Sequence, residues 1–296
     1  MKKNANILTM IVLCLIIILF INVRNQKIHK KDIDSLIAIK NTYGTNDLSK
    51  SPPFQGGYIN FGYWKNIEIE GQITEEQRIR ASFDLYKLII DKLDLKANEH
   101  VLEVGCGLGN GGRYVASIYN PQLMTCIDSV DEQIMRAKAL HTLESEKYNN
   151  LEYIVSPADN VDKASGAYDK IYSVEVAQYF PSMEKFANEA FRLLKHNGKI
   201  IVTAHFSTSK KGYERAKQLI PTVSQNIDRM IPIKEVQNAF IRAGFKEVKV
   251  ESIGEHVFGG FDQWISQVED VDWAHNINKL YQENSIDYYV ITLIKS

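Results

Sequence analysis

Cysteine is scarce in this chain, with three among 296 residues. Cys14 lies in an apolar run, and Cys106 and Cys126 lie near the ends of expected strands. None belongs to a C-x-x-C pair or has a histidine partner, so neither a disulfide framework nor a metal site is expected. An excess of one charge is missing too: 35 Lys and Arg against 36 Asp and Glu leave a formal net charge of −1. A protein that tracks phosphates usually carries a basic excess or a basic face, so nucleic acid is not an expected partner. Internal repeats and low-complexity tracts are also absent from the sequence.

Long hydrophobic runs are confined to one place. Ile7 to Val23 is apolar except for Thr9 and Asn22, and at 1.5 Å per residue it reaches about 25 Å as a helix. Without a polar face to turn to water, it reads as an N-terminal membrane anchor over residues 1–31, basic flank included. A cleaved signal peptide is the rival reading, but no small-x-small site follows Phe20. The larger basic cluster, Arg24, Lys27, Lys30 and Lys31, follows the run. Charge bias therefore puts everything after it on the cytoplasmic side, as the catalytic part of a single-pass membrane protein. Residues 32–57 end in Pro-Pro and Gly-Gly pairs and read as a linker or arm, which places the start of a domain at 58.

The composition of the whole chain is that of an ordinary globular protein, with 45% hydrophobic residues, enough for one α/β core. Thr74-Glu-Glu-Gln77 has capping-box spacing and opens a helix that ends near Leu95. Alternation follows: strand 100–104, helix from about 110, strand 123–128, helix 130–147, strands 151–155 and 170–175, helix 182–196 and strand 199–205. Asn197-Gly198 reads as the stop of the last of these helices. Such alternation implies parallel strands with crossover helices, a doubly wound Rossmann-like sheet. Residues 207–233 interrupt it and suggest a lid or insertion. Helix 234–243, strand 246–252, a loop rich in glycine and aromatics over 254–264, a helix through about 281 and a final strand 286–294 complete the chain.

The chemistry concentrates after the first strand. In a doubly wound sheet that turn lies on the carboxyl edge, where ligands bind, and glycine lets the backbone approach them closely. Gly107-Leu-Gly-Asn-Gly-Gly112 matches G-x-G-x-x-G, and Asp128 follows at nearly the distance expected for a dinucleotide site. Glu103 argues otherwise, because an acid at the tip of that strand would repel a pyrophosphate and attract a cation.

Glu103-Val-Gly-Cys-Gly-Leu-Gly109 resembles the E/D-x-G-x-G-x-G motif of class I S-adenosyl-L-methionine (SAM) dependent methyltransferases. The resemblance covers about residues 58–296. It implies a seven-stranded sheet with the last strand antiparallel, and SAM as cofactor. Glu103, Gly105, Cys106, Gly107 and Gly109 then form the cofactor loop, Asp128 grips the ribose hydroxyls with Ser129 beside it, and Ala158 and Asp159 lie at the adenine. "GYINFGYW" (57–64) is similar to the N-terminal segment of the small-molecule branch acting on sugars, polyketides, terpenes and sterols, where Tyr63 and Trp64 would close over the methionyl end. Candidate catalytic residues are His205 as first base, His256 as second, and Glu175 and Tyr179 in the loop that faces substrate, where Glu175 and Gln178 would orient a polar acceptor; Glu175 also borders the cofactor. Many relatives carry histidine in place of Tyr179. Tyr58, Phe180, Phe206, Phe258, Phe261 and Trp264, expected on the same edge, favour a lipophilic acceptor. Two alternatives stay open at this point, an NAD(P)-dependent oxidoreductase and a non-catalytic SAM-binding scaffold tethered to a membrane.

Overall fold

A computed structural model describes residues 34–142, 149–269 and 271–296. The apolar run Ile7–Val23 and its basic flank lie outside the described residues; among those described, no helix is long and apolar enough to cross a membrane. The chain divides into two compact units, Met1–Ala38 and Ile39–Ser296. Residues 34–38 of the first are helical. Everything below concerns the second.

Its frame is a seven-stranded sheet of order β3-β2-β1-β4-β5-β7-β6. The strands are β1 (His100–Val104), β2 (Leu123–Asp128), β3 (Leu151–Val155), β4 (Tyr168–Val174), β5 (Leu194–Ser207), β6 (Glu247–Ser252) and β7 (Ile286–Ile294). β7 is wedged antiparallel between β5 and β6, and the remaining pairs are parallel. The expected architecture, doubly wound with an antiparallel last strand, is the one observed. Strand order reverses at β1 and β4, so the loops that leave these two strands flank the crevice on the carboxyl edge.

Helices cover both faces. α1 (Glu75–Leu93) starts at the expected capping box: Thr74 Oγ1 accepts from the Gln77 N–H at 3.2 Å, and Gln77 Oε1 accepts from the Thr74 N–H at 2.8 Å. Ala81, Leu85 and Ile89, four residues apart and fully buried, press it onto the sheet. α2 (Asn110–Tyr119) and α3 (Asp131–Thr142) follow β1 and β2. α4 (Met183–Leu193) and α7 (Ile233–Ala243) carry the second core, where Phe186, Phe240, Phe245 and Phe206 meet Ile200 and Val202 of β5. α5 (Lys210–Leu219) and the short α6 (Pro221–Ser224) make up the segment that interrupts the alternation, and α8 (Phe258–Val268) and α9 (Asp272–Gln282) precede β7.

Three local expectations are corrected. The helix placed over 182–196 stops at Leu193, and β5 begins at once. Asn197, at φ 63°, turns the strand there, its N–H donating to the Lys295 carbonyl at 2.6 Å. The stretch 254–264 is not loop: a 3₁₀ turn at Gly254–His256 leads into α8, where Gly260 lets the helix lie against the Trp64 indole. The segment 39–57 is packed rather than a free linker. Phe54 is buried, and the Pro53 carbonyl accepts from Arg78 Nε at 3.1 Å and from Trp264 Nε1 at 3.2 Å.

Candidate cofactor and acceptor site

The loop after β1 is held open from behind. Gly105 and Cys106 donate their N–H groups to the Ile127 carbonyl at 2.8 and 3.0 Å, tying the loop to β2. Asp128, at the end of β2, accepts from the Gly107 N–H at 3.0 Å and from the Val130 N–H at 2.9 Å. Gly107, at φ +51°, has no atom within 4 Å of the place where a Cβ would stand, whereas a Cβ on Gly109 would strike the Tyr153 ring. The loop thus presents bare backbone to open space at Gly107, with a carboxylate beneath it. Burial raises the Asp128 carboxyl above the usual range, against the pull of the Val130, Gly107 and Ser129 N–H groups.

Glu103 does not stand at the strand tip. It is 1% exposed, in register with Cys126 of β2 and Tyr172 of β4, and faces Gly111 and Gly112 of α2, where a Cβ would crowd its oxygens. Cys126 Sγ donates to its Oε2 at 3.6 Å, and Oε1 has no partner among the described residues. Burial pushes this carboxyl up to about 8. The acid therefore lies under the loop rather than at its rim, and its burial favours the protonated form.

A second cluster forms at the ends of β4, β5 and β7. Glu175 follows β4 with φ 54°, a left-handed conformation that a side chain adopts only under constraint. Its N–H is fixed by the Thr203 carbonyl at 2.7 Å. Its Oε2 accepts from the Phe61 N–H at 2.9 Å and the Tyr288 hydroxyl at 2.6 Å. His205 pairs with Tyr288 across the antiparallel β5–β7 ladder, and its ring stacks on Phe61 at 5.2 Å. Burial pushes Glu175 up to about 8 and His205 down to about 4. Near neutral pH the imidazole is uncharged and a weak base, and the carboxyl is the group poised to exchange a proton.

Beside them, Tyr43 donates to the Tyr179 hydroxyl at 2.6 Å. Asp228, from the segment after α6, is pushed up to about 6 by burial and accepts from Thr222 Oγ1. Arg136 of α3 donates to the Tyr43 carbonyl at 2.9 Å and to that of Gly44, which ties the arm to the helix that follows Asp128.

Of the sequence-read site, the structure gathers Gly105, Cys106, Gly107, Gly109, Asp128 and Ser129 around one loop, and Glu175, Gln178, Tyr179 and His205 around the next. Ala158 and Asp159 lie in the turn after β3, next to the Asp128 carbonyl that accepts from the Ser156 N–H at 2.9 Å. Tyr63 is half-buried and meets His256 edge-on at 5.5 Å; His256 also lies 3.5 Å from Glu255. Trp64 is buried under α8, its Nε1 donating to the Phe61 carbonyl at 2.9 Å. Phe180, Phe206, Phe258, Phe261 and Trp264 are likewise buried, Phe206 in β5, Phe258, Phe261 and Trp264 in α8, and Phe180 after the 3₁₀ turn that precedes α4. Tyr43, Tyr288, the Phe61 N–H and Asp228 are additions that sequence reasoning missed. Tyr288 was reachable by setting the last strand antiparallel to β5.

Comparison with known proteins follows this geometry. Residues 71–296 match the sequence profile of the family described as mycolic acid cyclopropane synthetase. Among curated relatives, erythromycin 3''-O-methyltransferase of Saccharopolyspora erythraea is 23% identical over 77% of this chain and 74% of its own length. Phosphoethanolamine N-methyltransferase 2 of Caenorhabditis elegans is 26% identical over 54% of this chain, which spans only 35% of that longer relative. Geranyl diphosphate C-methyltransferase of Streptomyces coelicolor, solved with S-adenosyl-L-homocysteine, superposes with a TM-score of 0.70 over 80% of this chain and 90% of its own; at 12% identity that likeness speaks for the fold alone.

Proposed function

The chain belongs to the mycolic acid cyclopropane synthetase family, and from that premise we propose that it transfers a methyl group from SAM to a small lipophilic acceptor. The carrying observation is the bare, carboxylate-backed loop beside a buried acid on the same sheet edge: Gly107 bonded to Asp128 at 3.0 Å, and Glu175 at the end of the neighbouring strand. The nicotinamide oxidoreductase and the scaffold readings gain no support from the family.

The donor supplies an activated methyl on a sulfonium, and in-line displacement needs alignment more than covalent help. The residues present fit it. Gly105, Gly107 and Gly109 let the backbone approach, the open space at Gly107 receives a ligand, Asp128 has lone pairs left for two ribose hydroxyls, and Glu103 favours positive charge from beneath. Ala158 and Asp159 take the adenine end. On the acceptor side Glu175, fixed by Phe61 and Tyr288, holds or removes a proton, and neutral His205 serves as a hydrogen-bonding wall.

Lipophilicity of the acceptor is supported by the family, described by mycolic acid, and by the erythromycin named for a curated relative. Tethering to a membrane, with the domain on the cytoplasmic side, belongs to the same proposal; the apolar run Ile7–Val23 and the basic cluster after it support it. Incubating the full chain with methyl-labelled SAM and a lipid extract tests the reading. Label should move into organic-soluble product, and label confined to water-soluble products would contradict a lipophilic acceptor.

A further inference from the structure

Arg78 of α1 heads the large side chains that are fully buried, at 0% exposure. A buried guanidinium is costly unless its charge is answered, yet no carboxylate lies within ion-pair distance of it among the described residues. Its donors go instead to neutral acceptors: Nε to the Pro53 carbonyl at 3.1 Å, Nη1 to the Ser82 hydroxyl and Nη2 to the Asn60 carbonyl at 2.5 Å. Its flat face lies over Phe261 and Trp64, 5.4 and 6.0 Å from the ring centroids. Burial pulls the group down to about 9, with Glu175 acting in the opposite sense.

The Asn60 carbonyl belongs to the same peptide group as the Phe61 N–H, which donates to Glu175 Oε2 at 2.9 Å. No peptide bond in the described chain is cis, and in a trans peptide the C=O and N–H bonds point in opposite directions, so that their dipoles align. One planar unit therefore stands between cation and acid, its oxygen toward Arg78 and its hydrogen toward Glu175. Hydrogen bonds in such a series polarise one another, most strongly when the ends are charged and the medium is dry.

We propose that Arg78 is the counter-ion of Glu175 at one remove, acting through the Asn60–Phe61 peptide as a positioning residue for methyl transfer. It aims the Phe61 N–H at the carboxyl group and makes the ionised acid attainable in a dry site. As a statement about catalysis this rests on the reading of Glu175 given above. The other groups around the acid do not supply that charge. The Tyr288 hydroxyl bonds its carboxyl, Gln178 Nε2 donates to its carbonyl at 3.0 Å, Tyr43, Tyr179 and His205 are uncharged near neutral pH, and Asp228 opposes its ionisation.

The test is an infrared pH titration of the carboxyl stretching band, with Glu175→Gln used to assign it, comparing wild type with Arg78→Met, Arg78→Gln and Arg78→Lys. In the neutral variants the Glu175 midpoint should rise by about one pH unit or more, and Arg78→Lys should bring it back to within about half a unit of wild type. If Arg78→Met does not fold, Arg78→Gln, which keeps a donor for the Asn60 carbonyl, carries the same expectation. A folded neutral variant whose midpoint stays at the wild-type value overturns the proposal, as does a lysine variant that shifts as far as the neutral ones. Calorimetry with SAM on the same samples separates the two readings: failure of the wild type to bind SAM counts against methyl transfer, while the titration still decides the pairing.

Discussion

Replacing Glu175 by glutamine exchanges an acid that burial holds protonated for an amide that never ionises, so its effect should depend on pH in a calculable way. In the unfolded chain the carboxyl ionises near its ordinary value of 4.5, but in the folded protein it keeps its proton up to about 8. Between these values the native state binds the extra proton, and stability falls as pH rises; above about 8 both states are ionised and the loss levels off. Each pH unit in the window is worth about 1.4 kcal/mol, so at pH 7 the wild type has forfeited about 3 kcal/mol on account of this group. The substituted glutamine keeps an oxygen for the Phe61 N–H and the Tyr288 hydroxyl, and its extra NH₂ costs about 1 kcal/mol if left without an acceptor. The variant should match wild type within about 1 kcal/mol at pH 4.5 and exceed it by about 3–4 kcal/mol at pH 8. Urea denaturation of both proteins at half-unit steps over that range measures the difference. A stability gap that stays constant across the range would show that the folded acid is already ionised and would refute the reasoning.

Gly107→Arg should abolish SAM binding in calorimetry while costing only about 1–2 kcal/mol of stability, the penalty of a side chain at positive φ, because its Cβ enters open space. A variant that still binds SAM would place the cofactor elsewhere. For Asp128→Ala, affinity should drop by about 1–3 kcal/mol from the lost bonds to two hydroxyls; the drop should be smaller for a SAM analogue lacking the 2'-hydroxyl, and equal losses for both ligands would mean that the residue only braces the loop. Tyr43→Phe removes the 2.6 Å bond to Tyr179 and should cost about 1 kcal/mol, read as faster proteolysis within residues 39–57; cleavage at the wild-type rate would show that the arm is not held there.

Periodicity and turn chemistry were local signals, and they carried the sheet, the capping box at Thr74 and the glycine loop. What stayed hidden depended on contacts between distant segments. Glu103 read as a strand-tip acid because its register with Cys126 and Tyr172 is a property of three paired strands. The glycines at 254–260 read as loop because nothing local reveals that Gly260 must clear the Trp64 indole. The arm at 39–57 carries breakers, yet Arg78 and Trp264, both far along the chain, fasten Pro53. The burial that lowers His205 as a base is invisible in one strand's sequence.

The central claim is that the loop from Gly105 to Gly109, with Asp128 and Glu103 behind it, accepts a positively charged nucleoside donor and rejects a diphosphate. Titrating the purified domain calorimetrically with SAM and, separately, with NADH addresses it most directly. Saturable one-to-one binding of SAM with no heat from NADH is the expected result; tight binding of NADH with none of SAM would contradict the account.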